Sequence, residues 1–82
     1  MFMQETKHNR MLSSLGVGQS GTVYSVQTEG TMRRRMQDLG FIRGTRVDCV
    51  AISPLGDPKA FRICGAVIAL RSADADYIRL FE

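Results

Sequence analysis

The hexapeptide 16-GVGQSG-21 matches the GxGxxG pattern, and Asp38 follows at the spacing where dinucleotide-binding folds place an acidic residue on a ribose hydroxyl. That chemistry requires a strand before the glycines and a helix after them, so that the helix N-terminus meets the pyrophosphate. Here no strand pattern precedes Gly16, the residues after Gly21 read as a strand, and no βαβ unit fits. The glycines are assigned to a turn, and no nucleotide cofactor is expected.

His8 is the one histidine, and it lies in a polar stretch ahead of the first patterned segment. No serine or aspartate therefore has a base and an orienting group arranged around it, and the chain is not expected to be an enzyme. Cys49 and Cys64 lack CxxC spacing and a neighbouring histidine, which indicates neither a disulfide framework nor a zinc motif. Cys49 falls on the inward phase of its strand as a small core hydrophobe, whereas Cys64 is out of phase with Phe61 and Ile63 and is expected at the surface. No resident metal is expected; the alternative for the thiols is a soft metal site shared between two molecules.

Net charge is +3, and nine of the eleven basic residues are arginine, a bias toward carboxylate or phosphate partners. The cluster 33-RRR-35 would supply phosphate contacts to a nucleic acid, with aromatic rings as stacking platforms. Phe41, Phe61 and Tyr77 do not interleave with the arginines, and core packing explains them better, so no nucleic acid is expected.

The segment 53-SPLGDP-58 combines two prolines, a glycine and a carboxylate. Pro54 and Pro58 fix φ at two points, Gly56 permits a tight turn, and Asp57 before proline is driven to an extended conformation, where its carboxylate is expected to accept local backbone N–H groups. The loop is thus built for rigidity. It displays Leu55 at low entropic cost, which suits contact with a partner protein.

The elements that must position these residues are few. A chain of 82 residues, 44% hydrophobic and 23% charged, makes one small domain, with residues 1–10 as a polar extension and 11–82 as the folded unit. A core that small favours a surface function over an enclosed active site. The longest apolar run, 66-AVIAL-70, is too short to cross a bilayer and 1-MFMQETKHNR-10 lacks a signal-peptide h-region, so a cytoplasmic protein with reduced thiols is expected.

In 21-GTVYSVQ-27, Val23 and Ser25 alternate against Thr22, Tyr24 and Val26, which predicts a strand. From Gly30, Met32, Met36 and Leu39 recur with helical period, with Thr31 as N-cap and Gly40 as the stop. Arg34 then points away from the apolar stripe and Arg35 flanks it. A turn through Gly44 leads to 46-RVDCVAIS-53, with Val47, Cys49 and Ala51 on one face. The strands 59-KAFRIC-64 and 66-AVIALR-71 follow around Gly65, then 72-SADAD-76 opening on a capping serine, and 77-YIRLFE-82 as a last strand. Five short strands with one or two short helices describe a mainly β, strongly bent small barrel.

The segments 35-RMQDLGFIRGTRV-47, 53-SPLGDP-58, 65-GAVIALR-71 and 73-ADADYI-78, led by 12-LSSLGVGQSGTV-23, resemble in order and spacing the ferrous iron transport protein A family, or FeoA-like domain, from Leu12 to Phe81. Arg35, Leu39, Gly40, Gly44, Leu55, Gly56, Asp57, Pro58, Gly65, Ala69, Leu70 and Arg71 match its pattern. Arg43 departs from it, standing where the family often has proline before the turn glycine. So do Cys49, where an aliphatic residue is common, and Cys64, where a polar one is.

The resemblance implies an SH3-like small barrel in the cytoplasm. It implies an accessory or regulatory role in ferrous iron uptake, through protein–protein contact with a membrane iron permease that carries a GTP-hydrolysing domain. The family's iron-uptake setting links the chain to transition metal ion binding without assigning a ligand residue. Attachment to the membrane would be peripheral, through the partner, and self-association into a homo-oligomer is compatible with it. The residues assigned to partner contact are Arg34 and Arg35 on the helix with Leu55, Gly56 and Asp57 on the loop. A related barrel ends metal-dependent repressors, which makes a metal-responsive or nucleic-acid-binding barrel the alternative.

Overall fold

The computed structural model describes residues 10–81. β1 (Arg10–Met11) runs into a 3-10 turn (Leu12–Ser14). Then come β2 (Ser20–Val26), helix α1 (Gly30–Asp38), β3 (Arg46–Ile52), β4 (Lys59–Ile63), β5 (Ala66–Leu70), the single helical turn α2 (Ser72–Ala75) and β6 (Ile78–Leu80). The strands form one antiparallel sheet in the order β1-β6-β2-β3-β4-β5. The five expected strands are present, β1 is additional, and the segment after Arg71 supplies the second short helix.

The sheet bends around a core that includes Leu12 and Leu15 of the leader, Val23, Met36, Phe41, Val47, Phe61, Ile63, Ile78 and Leu80. Two bulges correct the simple alternation expected for β2 and β3. Pairing of β2 with β6 shifts register between Val23 and Ser25, so Val23 and Val26 both turn inward. Pairing of β3 with β4 shifts between Cys49 and Ala51, so Val47 and Cys49 are buried whereas Ala51 is exposed. One extra residue on one strand bends and twists it, which is what a six-stranded sheet needs to wrap a core this small.

Helix α1 buries Met36 and packs Met32 and Leu39 against the core, as its period requires. The expected Thr31 cap is not formed. The flanking extended residue is Glu29, with no side-chain cap, and Thr31 already lies inside the first turn. The helix end is as expected: Gly40 has φ 112°, its N–H donates to the Gln37 carbonyl, and the Phe41 N–H donates to the Met36 carbonyl. This pair of bonds is a Schellman motif, closed by packing of buried Phe41 near buried Met36.

Between β4 and β5, Ile63 pairs with Ala66, leaving the two-residue turn Cys64-Gly65 with φ of 51° and 80°. Positive φ at both positions is the type I′ geometry that matches strand twist. Phe41 and Phe61 are core residues, as expected, but Tyr77 is 40% exposed. Strand β6 begins one residue later, at Ile78, so Ile78 and Leu80 take the inward positions and Tyr77 stays outside.

Candidate functional site

The loop between β3 and β4 is held by its own backbone and by Ser53. The Gly56 N–H donates to the Ser53 carbonyl at 2.8 Å, closing a β-turn over Pro54 and Leu55, and the Ser53 N–H donates to the Pro58 carbonyl at 3.1 Å. The Ser53 hydroxyl donates to the Asp57 carbonyl at 2.9 Å and accepts the Leu55 N–H at 3.3 Å. Gly56 has φ 88°, which the turn needs and glycine adopts without strain. Leu55, 93% exposed, stands on this frame.

Asp57 does not use its carboxylate locally. Its Oδ1 accepts the Ser72 N–H at 2.8 Å and the Ser72 hydroxyl at 3.2 Å, tying the loop to the start of α2. Ser72 is accordingly not the cap that its position suggested: the flanking residue is Arg71, and Ser72 is the first helical residue, whose free N–H is met from outside. Neighbouring bonds extend the tie. The Ser13 hydroxyl donates to Asp76, and the Lys59 ammonium donates to the Ser13 and Leu15 carbonyls at 2.6 and 2.8 Å. Leader, loop and α2 therefore form one hydrogen-bonded end of the barrel.

Arg34 and Arg35 are exposed on α1, Arg35 more fully than its place beside the stripe implied. They are not brought to the loop. The helix stop lies against the opposite end of the β3–β4 hairpin: a Cβ on Gly40 would sit 2.9 Å from Cys64 Sγ and 3.5 Å from Ile63 Cγ1. Ile63 pairs with Val47 near the start of β3, whereas the loop leaves from Ile52. The intervening stretch of strand is about 17 Å long. The expected contact set thus falls into two patches, Arg34–Arg35 and Leu55–Gly56–Asp57.

A feature not anticipated from sequence lies where α1 meets the end of β2. A groove of about 330 Å³ is lined by Tyr24, Ser25, Val26, Arg33, Gln37, Phe41, Ile42 and Arg43. The Arg43 guanidinium lies 4.7 Å from the centroid of Tyr24 and 5.6 Å from that of Phe81, and the two rings meet edge to face at 5.0 Å. The sequence signal for it was Arg43 itself, visible only as an arginine where the resembled family often has proline.

The glycine segment behaves as a turn. Gly18, with φ 87°, donates its N–H to the Cys49 carbonyl, the Gly16 N–H is capped by Gln19 Oε1 at 2.7 Å, and a strand follows. Cys49 is buried and Cys64 exposed, as expected. Among the described residues no three His, Cys, Asp or Glu side chains gather as a metal site, and no helix is long and apolar enough to cross a membrane. His8 lies outside the described residues.

The FeoA domain matches residues 10–80. The chain belongs to the FeoA domain family. It is 33% identical over 69 residues to the Fe(2+) transport protein A/Fe(2+) transporter FeoB fusion protein of Porphyromonas gingivalis, covering 84% of this chain but only 8% of that much longer protein. The solution structure of FeoA from Chlorobium tepidum superposes with TM-score 0.79 at 35% identity, over 87% of this chain and 68% of that one. The crystal structure of Stenotrophomonas maltophilia FeoA complexed with zinc, described as a prokaryotic SH3 domain protein, gives 0.77 at 32%, over 85% and 87%.

The barrel is thus SH3-like, and the FeoA family is one of ferrous iron transport. A manganese-dependent transcriptional repressor shares the fold alone, at TM-score 0.76 and 23% identity over 89% of this chain and 41% of that one.

Proposed function

We propose that this FeoA domain is a small cytoplasmic accessory protein of ferrous iron uptake, acting by contact with the GTPase-containing cytosolic part of a membrane iron permease. The supporting observation is the P. gingivalis relative, in which a segment similar to this chain is part of one protein named for both the transport protein and the transporter. Fusion holds two modules at high effective concentration, an arrangement useful only where they meet. Iron is then the cargo of the assembly, and this chain contributes a surface and no chemical step.

Leu55, on its rigid loop, is suited to that contact because little backbone freedom remains to be lost on binding. A standard interface covers about 800 Å² of each partner, enough to span the separation between the loop and the arginine-bearing face of α1. The test is calorimetric titration of the chain with the permease's isolated cytosolic domain. Saturable binding supports the proposal, and its absence under conditions where the domain binds GTP rejects it.

A further inference from the structure

The geometry points to the groove between α1 and the end of β2 as a docking site for an acidic segment of a partner protein. A carboxylate is held between Arg33 and Arg43, and an aliphatic neighbour rests on Val26 and Ile42. The assignment of that partner as the permease rests on the function proposed above; the chemistry of the groove does not.

Three observations carry it. First, both cations are uncommitted: the ion pairs among the described residues are Arg46 with Asp48 and Arg71 with Asp74, and neither Arg33 nor Arg43 meets a carboxylate. Among the described residues no aspartate or glutamate lines the groove, and Glu29, which with Arg33 lines an adjoining depression, forms no ion pair to it. Two guanidinium groups facing one cleft raise its positive potential, which an incoming carboxylate relieves.

Second, Arg43 is positioned in advance. Its contacts with the faces of Tyr24 and Phe81 hold the guanidinium plane while its edge N–H groups remain able to donate in pairs. Arg33 and Gln37, four residues apart, share one face of α1 and present a second cation and an amide.

Third, the floor is apolar. Phe41 and Val26 form its base and Ile42, 55% exposed, its rim, which fits an aliphatic side chain beside the carboxylate and gives a bare inorganic anion nothing to contact. A peptide segment carrying both features is the occupant that uses the whole groove.

The test follows backbone amide shifts of the 15N-labelled full chain during titration with Ac-Glu-Leu-Leu-Glu-NH2 and, separately, Ac-Lys-Leu-Leu-Lys-NH2. The acidic peptide is expected to move Tyr24, Gln37 and Ile42, with the shifts fading as salt rises from about 0.05 to 0.3 M. They should be lost in Arg33→Glu, whose urea midpoint stays at the parent value, and in Arg43→Glu, whose amide spectrum remains that of the folded barrel, and reduced in Arg43→Lys, which keeps the charge but not the stacked fork.

The same amides should move with the permease cytosolic domain, and each charge reversal should weaken that binding about tenfold. Equal response to both peptides, or shifts confined to residues 53–58, overturns the groove assignment whatever the permease domain does. Shifts at these amides that grow with protein concentration alone would assign the groove to a second copy and overturn it too. Acidic-peptide binding in the groove with no binding of the permease domain would reject the proposed function and leave the groove chemistry standing.

Discussion

Asp57 holds the first residue of α2 from fifteen positions away, one carboxylate oxygen accepting both the Ser72 N–H at 2.8 Å and the Ser72 hydroxyl at 3.2 Å. A rigid loop and a four-residue helix that would not persist alone thereby stabilise each other, since a single helical turn has almost no intrinsic stability. The barrel's closing strand β6 follows directly, so the tie also sets where that strand begins.

Asp57→Ala removes the acceptor for both donors and is expected to cost about 1 kcal/mol, the usual worth of a helix N-terminal acceptor at an exposed site. Asp57→Asn keeps an acceptor oxygen and should cost less, and Ser72→Ala, which loses only the hydroxyl bond, less still. Urea denaturation of the three variants gives the ranking; an alanine variant as stable as the parent would show that the tie contributes nothing.

The helix stop makes a second prediction. Gly40→Ala meets two penalties, a positive φ of 112° and a Cβ placed 2.9 Å from Cys64 Sγ. The conformational part alone is about 1–2 kcal/mol. Cys64→Gly should restore only the contact part while relieving the Cys64 φ of 51°. A double-mutant cycle on thermal midpoints should therefore give a positive coupling with incomplete rescue, and strict additivity would mean that the Sγ contact is not felt.

The helix stop was readable in advance because everything a Schellman motif needs lies within six residues, from Met36 to Phe41. The β4–β5 turn was readable around Gly65 for the same reason. The bulges were not. Assigning Ala51 inward assumes that period 2 continues, and the shift after Cys49 is set by pairing with Phe61 and Ala60 on another strand.

The Asp57 carboxylate is expected from sequence to accept local N–H groups but accepts from Ser72 instead, since proline constraints specify the direction of the chain and not what lies across from it. Arg33 and Arg43 come together only because α1 packs beside β2, a contact with no local sequence signature. The expected set of Arg34, Arg35 and the loop residues is divided between two ends of a hairpin for the same reason.

Lys59 anchors the leader to the barrel through two carbonyls, of Ser13 and Leu15, in a part-buried setting. Lys59→Met keeps the aliphatic stem and removes both bonds, so about 1–3 kcal/mol should be lost with the carbonyls left short of a donor. Hydrogen exchange should quicken first at Leu15 and Gln19, whose N–H groups close the leader's turns, before the β3–β4 ladder responds. Uniform acceleration across the whole sheet would indicate that Lys59 acts on global stability alone.

Leu55 separates structure from function most cleanly. With 93% of its surface exposed and its N–H already bonded to Ser53, Leu55→Ser removes no buried contact and should leave the urea midpoint within about 0.5 kcal/mol of the parent. If the loop tip is a contact for the permease domain, the same change should weaken binding by about 1–2 kcal/mol through lost apolar burial at the interface, chiefly as faster dissociation. Surface plasmon resonance with the immobilised cytosolic domain reads both rates. Parent-like kinetics for Leu55→Ser beside weakened binding by Arg43→Glu would move the docking surface off the loop and onto the groove; the reverse pattern would restore the loop.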